Sequence, residues 1–152
     1  QVEGDRAPAR WVMGSLWGAT SPATCHSPTI YADIHLVAGG AMPIDPEADV
    51  RGLYLAVGGA SLDGRKLEPG TLYVLRPGTR ATLRSEGGGH AMLCGGAPLD
   101  GPRHVWWNFV SSRHDRIRQA RDDWKSGRFT LPPDDHDEFI PLPEVPKTVS
   151  YP

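Results

Sequence analysis

Apolar and polar residues alternate along much of the first hundred positions, in short runs that end at glycine or proline. Residues 29–37 show this pattern most clearly, because their side chains divide into two faces with the period of two that a β-strand has. One face of this predicted strand is apolar: Ile30, Ala32, Ile34 and Leu36. The other face is more polar: Tyr31, Asp33, His35 and Val37. The pattern predicts a strand that buries only one of its faces.

Seven further short strands are predicted before residue 100: an apolar segment that starts at Trp11, and residues 53–57, 60–62, 66–68, 72–75, 81–85 and 90–94. Asp63-Gly64 is a typical two-residue hairpin turn. We expect a polar arm at residues 1–10 and a loop around Pro43 and Pro46. Turns recur about every ten residues and no helix separates the strands, which favours an antiparallel jelly-roll β-barrel over a doubly wound α/β fold.

A different pattern occupies residues 103–129. A strand-like aromatic run at residues 105–110 leads into an amphipathic helix predicted at about residues 113–126. Ser112 is the expected N-cap, and Asp115 completes an S-x-x-[DE] capping pattern. Ile117, Ala120 and Trp124 share one face of this helix.

The end of the helix and the tail that follows are also marked in the sequence. Gly127 is placed to end the helix in the left-handed conformation. We expect Phe129 to fold back against Trp124 or a sheet. Residues 130–152 are rich in proline, which predicts an extended tail anchored by Phe139 and Ile140. The whole chain is interpreted as a single domain, with the barrel at about residues 11–110.

Composition narrows the classes of function. The chain has 152 residues, 16 basic and 18 acidic, with a formal net charge of -2. This balance gives no electrostatic reason to expect nucleic acid or an anionic membrane as a partner. No apolar run reaches the roughly 18–20 residues of a transmembrane helix. Cys25 and Cys94 lie outside any CxxC motif, which favours reduced thiols in a cytoplasmic protein and leaves a disulfide as the alternative.

Small β-barrels often hold a metal, and the strand pattern resembles the cupins. Residues 39–59 are similar to the first cupin motif, but Asp45 and Glu47 stand where that motif has its two histidines, and Arg51 or Gly52 stands near its acid. Residues 70–81 are similar to the second motif, whose histidine position is taken by residue 79, 80 or 81, a threonine, arginine or alanine. Asp45 and Glu47 form either a site for a hard cation or a solvated acidic loop.

The histidines carry the other candidate chemistry. His35 lies on the more polar strand face and His90 begins a strand, so a barrel could bring them together in its interior. With Tyr31 they form the candidate ligand pocket, and hydrogen-bonded or surface histidines are the alternative. His26, His104, His114 and His136 have neither HxH nor HxxxH spacing, so we expect no metal in this chain. We also expect no catalytic residue, because a G-x-S-x-G motif is absent.

The stretch after residue 94 resembles the end of the C-terminal cupin domain of pirin-family proteins. It contains a G-G-x-P-L-x-x-P-like turn at residues 95–102, an aromatic-Phe-Val run at residues 106–110, and a helix with the family's Ile, Ala, Asp-aromatic, Gly and Phe spacing at residues 115–129. Residues 27–40 resemble an early strand of the same domain. The resemblance covers roughly residues 11–130.

Pirins are two-domain cupins, and the resemblance implies that the two domains have different roles. Three histidines and a glutamate in the N-terminal domain hold the metal, usually iron, and these 152 residues contain no counterpart of that domain. Some bacterial members are quercetin dioxygenases and others are transcriptional co-regulators. We expect a non-catalytic, metal-free cupin that packs against such an N-terminal domain, or a second copy of the chain, through Trp11, Trp17 and the tail. The alternative is a small-molecule-binding or dioxygenase-type cupin that uses its own barrel interior.

Overall fold

The structure is a computed structural model, and it describes residues 2–4, 7–135, 137–144 and 148–151. Two compact units make up the chain, residues 1–98 and residues 99–152. Across the described ranges, no helix is long and apolar enough to cross a membrane.

Unit 1 consists of strands. Its described residues form β1 (Val2–Gly4), β2 (Ala7–Met13), β3 (Ser15–Leu16), β4 (Ala19–Thr20), β5 (Thr29–Leu36), β6 (Gly40–Ile44), β7 (Val50–Gly58), β8 (Ala60–Leu62), β9 (Arg65–Leu67), β10 (Thr71–Leu75), β11 (Ala81–Ser85) and β12 (Gly89–Gly96). A six-stranded antiparallel sheet has the order β1-β2-β5-β12-β7-β10, and a four-stranded sheet has the order β6-β11-β8-β9. β3 and β4 form a separate hairpin.

One hydrophobic core is shared by the two larger sheets. The six-stranded sheet contributes Ile34, Leu53, Leu55 and Leu93, all fully buried. The four-stranded sheet contributes Met42, Ile44, Leu67 and Leu83. The jelly-roll prediction is confirmed, although the two sheets remain separate and do not close into a continuous barrel.

Two segments predicted as irregular are strands. Residues 40–44, expected in a loop because of Pro43, pair with β11 from Ala81↔Ile44 to Ser85↔Gly40. This strand lies at the edge of its sheet, where a proline without an N–H costs no inner hydrogen bond. Residues 7–10, expected in a polar arm, belong to β2, whose partner is the alternating strand β5.

Unit 2 contains β13 (Arg103–Trp106), β14 (Phe109–Ser111), α1 (His114–Lys125) and β15 (Thr148–Tyr151). The aromatic run predicted as one strand is a hairpin, because Trp107 adopts a positive φ of 50° and starts a two-residue turn. The end of the tail is extended, and β15 there pairs with β13. Trp124 holds the middle of the tail: it stacks on Phe139 and donates to the Ile140 carbonyl (Nε1–O 2.9 Å).

The predicted N-cap is wrong and the predicted C-terminal signal is confirmed. Arg113, not Ser112, is the N-cap, and it makes no capping hydrogen bond with its side chain. Asp115 instead accepts a hydrogen bond from the Arg113 guanidinium.

At the C-terminal end of the helix Gly127 has φ +64°, and the Arg128 N–H donates to the Asp123 carbonyl at 2.8 Å, as in a Schellman motif. Phe129 packs on Trp124, with ring centroids 5.6 Å apart, as predicted.

Candidate functional site

The face of the six-stranded sheet that points away from the core, called here the outer face, carries a cluster of Asp33, His35 and His90. Asp33 and His35 are two residues apart on β5, so they point to the same side of the sheet. His90 lies on the neighbouring strand β12, directly opposite His35. The alternation that buries Ile34 in the core therefore places these three polar side chains together on the opposite face.

The two imidazoles stack and converge on one carboxylate. Their ring centroids are 4.3 Å apart and their planes differ by 10°. His90 Nε2 is hydrogen-bonded to Oδ1 of Asp33, and His35 Nε2 lies 3.2 Å from Oδ2. The side chain of Asp33 is 8% exposed, against 33% for His90 and 59% for His35. The cluster thus has a buried anion beneath two accessible imidazoles.

Asp33 is held in its ionised form. Burial acts to raise the pKa of its carboxyl, but hydrogen bonds and charge from His90 and His35 outweigh burial and lower the pKa below its ordinary value. Arg10 on β2 adds a further cation, with Nη2 3.2 Å from Oδ2. Because an ionised carboxylate only accepts hydrogen bonds, both Nε2 atoms must carry a proton in this arrangement.

A β-bulge lies beside His90. The pairing of β12 with β7 runs His90↔Val57 and then Ala91↔Leu55, so β7 has one extra residue at this point. The strand end is also tightly packed, because a Cβ on Gly58 would lie 2.5 Å from the Gly88 carbonyl oxygen. Bulges of this kind re-aim neighbouring side chains and are common next to functional sites.

The predicted meeting of His35 and His90 occurs, but not in the barrel interior. The two rings lie on the outer face, since the period of two places the core residues on the other side of both strands. Tyr31, the third predicted pocket residue, is on the same outer face of β5, one alternate position before Asp33, and its cross-strand partner is Cys94 rather than a histidine. The three residues predicted to form a pocket therefore do not line an interior cavity.

The outer face becomes apolar toward β7 and β10. Tyr54, Leu72 and Val74 lie on this side, with Leu72 directly opposite Tyr54. Leu72 is 54% exposed and Val74 is 78% exposed. Gly52 leaves room for Leu72 to lie across β7, because a Cβ there would lie 3.1 Å from Leu72 Cδ1. We call Tyr54, Leu72 and Val74 the apolar patch.

At the end of the core lies a fully buried arginine, Arg51. Its Nη1 donates to the carbonyls of Ile44 and Asp45, at 3.4 and 3.1 Å. Its Nη2 donates to the carbonyls of Arg76 and Thr79, at 2.8 and 2.7 Å. These carbonyls belong to the two segments that resemble the cupin metal motifs, so one guanidinium ties both segments together.

Asp45 and Glu47, the acidic residues at the histidine positions of the first cupin motif, already have partners within the chain. Asp45 forms an ion pair with Arg80 (Oδ1–Nε 2.5 Å). Both oxygens of Glu47 accept from the Trp17 backbone N–H, at 3.1 Å each. A metal at these positions would have to share the segments with the Arg51 guanidinium, so the residues present do not fit one.

The other histidines and the two tryptophans predicted to contact a second domain have local roles. His104 and His114 stack on each other in unit 2, with centroids 3.6 Å apart, and His26 is exposed in a loop. His136 lies outside the described residues. Trp11 and Trp17 pack partly buried against the core of unit 1, and each indole donates to a backbone carbonyl.

Sequence reasoning missed Asp33 as a member of the cluster. The signal was available in D-I-H at residues 33–35, since Asp-x-His on a strand puts both side chains on one face. His90 could not be joined to it by spacing, because 55 residues separate it from His35 and only the register of β5 with β12 makes them neighbours. Side chains that strand pairing brings together can be separated by any number of residues in the sequence.

Comparison with known proteins gives the family context of these features. The family model for the pirin C-terminal cupin domain matches residues 31–130, well over half of the chain. A pirin-like protein of Caulobacter vibrioides is 43% identical over 136 residues, which is 90% of this chain and 47% of that protein. The chain thus spans about half the length of this relative.

Solved structures agree with the fold. The crystal structure of a quercetin 2,3-dioxygenase from Acinetobacter baumannii superposes with a TM-score of 0.78 at 27% identity, covering 96% of this chain and 50% of that one. A second structure of a quercetin 2,3-dioxygenase from the same organism has a TM-score of 0.74 at 23% identity, covering 85% and 46% of the two chains. The second likeness supports the fold alone.

Proposed function

The chain belongs to the pirin family through its C-terminal cupin domain, and from this premise we propose that it is a non-catalytic cupin with a metal-free interior. In this proposal it packs against a metal-bearing N-terminal cupin domain outside this chain. The iron or other divalent metal of the pair belongs to that domain, and the two together form a dioxygenase of the quercetinase type. The proposed place of action is the cytoplasm.

The buried guanidinium of Arg51 is the observation that carries the proposal. In a metal-bearing cupin the two motif segments converge on a cation through their side chains. Here the segments are joined by a fixed organic cation that binds four of their carbonyls. The adjoining core consists of fully buried aliphatic side chains, such as Leu53, Leu55 and Leu93. An interior filled in this way supports a structural role rather than a catalytic one.

The apolar patch is the proposed docking surface for the N-terminal domain. Trp11 and Trp17, which the sequence suggests for this role, are packed against the core of unit 1. Leu72 and Val74 instead leave large apolar surfaces in solvent. The pirin-like relative is about twice as long as this chain. That relative therefore has a second half of comparable size, which is large enough to cover such a face.

A binding experiment tests the docking. The chain is titrated with a metal-loaded N-terminal pirin cupin domain, and the affinity is measured by calorimetry. The double substitution Leu72→Glu with Val74→Glu is expected to weaken binding by at least about 30-fold, because covering these side chains is worth about 2 kcal/mol or more. Val110→Glu is the matched control, since Val110 is an exposed valine of unit 2 at 62% exposure.

Four outcomes separate the hypotheses. Binding that fails only in the Leu72/Val74 variant supports the proposal. Sedimentation that shows a dimer of this chain, dissociated by the same variant, identifies a second copy as the partner. The alternative function, a quercetinase-type cupin that uses its own interior, is supported by turnover in the chain alone. Equal binding by both variants contradicts the proposed surface.

A further inference from the structure

We propose that Asp33, His35 and His90 form a binding site for a divalent transition metal ion, with Zn²⁺ as the probe ion. The site is separate from the interior between the two larger sheets, which the proposed function leaves free of metal. It lies on the outer face of the six-stranded sheet, across β5 and β12.

The three ligand atoms already face one another. One carboxylate oxygen of Asp33 and one ring nitrogen from each histidine all lie within 4.8 Å of one another. Zinc bonds of roughly 2.0–2.2 Å in a tetrahedral arrangement need ligand atoms about 3.4 Å apart. The adjustment falls mainly on His35, whose side chain is 59% exposed and whose Nε2 lies 3.2 Å from Asp33 Oδ2. His90 and Asp33 are already in direct contact.

The donor set selects the class of metal. Two imidazoles and one carboxylate suit zinc, nickel, cobalt or iron(II), whereas magnesium and calcium prefer oxygen ligands throughout. Three protein ligands leave at least one coordination position open to water. The buried carboxylate supplies a negative charge that attracts the cation, and metal binding at the two Nε2 atoms would move their protons to Nδ1 of each ring.

Arg10 competes with a metal ion for the Asp33 carboxylate. Its guanidinium lies 3.2 Å from Oδ2 of Asp33 and would repel an arriving cation. The Arg10 side chain is 77% exposed, so it can swing into solvent and leave the buried Asp33 carboxylate to the metal ion. Replacing Arg10 by glutamine removes both the competition and the repulsion, and should therefore tighten metal binding.

Metal titration of the full chain tests the proposal. Calorimetry with Zn²⁺ is expected to give one ion per chain, and Co²⁺ is expected to develop the visible absorption of a site with nitrogen and oxygen ligands. His35→Ala and His90→Ala should each weaken binding by at least tenfold, while Arg10→Gln should tighten it by about two- to fivefold. His26→Ala is the control, because this histidine is exposed in a loop away from the cluster.

Folding is monitored by circular dichroism in every variant. His35 occupies an exposed strand position, so His35→Ala keeps the test interpretable if His90→Ala fails to fold. Site-specific loss in the cluster variants with retention in His26→Ala supports the site. Absence of stoichiometric binding, or binding that the cluster substitutions leave unchanged, overturns it. Neither result bears on docking through Leu72 and Val74, so failure here is distinguishable from failure of the proposed function.

Discussion

Replacing Arg51 by methionine should destabilise unit 1 by about 3–5 kcal/mol, because several backbone carbonyls lose their hydrogen-bond donor. The side chain is fully buried and donates to four carbonyls, three of them at 3.1 Å or closer. Methionine fills much of the volume but leaves the carbonyls of residues 45 and 79 without this donor, whereas the Arg76 carbonyl still accepts from the Thr79 hydroxyl at 2.8 Å. Each unsatisfied buried acceptor costs about 1–3 kcal/mol.

An opposing effect keeps the expected value below the sum of these costs. Methionine carries no charge, so the folded state no longer pays for desolvating a guanidinium, which amounts to several kcal/mol. The Nε of Arg51, buried without a hydrogen-bond partner among the described residues, shows that this desolvation is incompletely offset. The net expectation is therefore about 3–5 kcal/mol of lost stability, less than the roughly 6 kcal/mol that two acceptors at the upper limit would give.

Urea unfolding monitored by far-ultraviolet circular dichroism measures this change, with amide exchange at Leu53 and Leu93 reporting on unit 1 alone. Arg80→Met is the matched control. Arg80 lies in the same region and pairs with Asp45, but its side chain is 74% exposed, so its loss should cost less than about 1 kcal/mol. If Arg51→Met and Arg80→Met were equally mild, the interpretation of Arg51 as the tie between the two motif segments would be refuted.

Two further predictions concern backbone packing and charge. Gly58→Ala should lower the free energy of unfolding by about 2 kcal/mol or more, because Gly58 has φ +85° and the new Cβ would meet the Gly88 carbonyl. Gly59→Ala is the control: a Cβ there would lie in open space, so this variant should be close to neutral in the same unfolding assay. The Asp115 carboxyl, whose pKa the Arg113 hydrogen bond lowers to about 2, should titrate near that value by NMR and move up toward 3.8 in Arg113→Gln. Since the folded pKa is depressed, any stability from this pair is present above about pH 4 and is lost as the pH falls toward 2; an unchanged midpoint in Arg113→Gln would contradict the assignment.

The general architecture follows from local sequence signals. The period of two in residues 29–37 identifies both faces of β5, and Asp63-Gly64 forms the predicted turn between β8 and β9. The Gly127 signal at the helix end is equally local. These features depend on residues within one strand, turn or helix, so the printed sequence is sufficient for them.

The errors arise where a distant partner decides the structure. β6 forms despite Pro43 because it lies at a sheet edge beside β11, and no pattern within residues 40–44 specifies that position. The aromatic run at residues 105–110 is a hairpin because Trp107 accepts a positive φ, which its own preferences disfavour. Asn108, which favours turns, was the available hint.

The candidate site is also only partly predictable from local sequence. Sequence alternation places Asp33 and His35 on one face, but it does not reveal which face His90 joins. The strand register does so, and it also moves the histidine pair from the predicted interior to the outer face. The sequence marks Arg51 only as a mismatch to a metal motif, because its four carbonyl partners are spread over residues 44–79.

Oxygen uptake with quercetin as substrate tests the central claim most directly. The purified chain is supplied in turn with Fe²⁺, Mn²⁺ and Ni²⁺, and quercetin-dependent oxygen consumption is compared with metal alone and with the chain combined with a metal-loaded N-terminal pirin cupin domain. The proposed function predicts no uptake by the chain above the metal-only rate, and turnover only when the N-terminal domain is present. Turnover proportional to the concentration of the chain alone would contradict it.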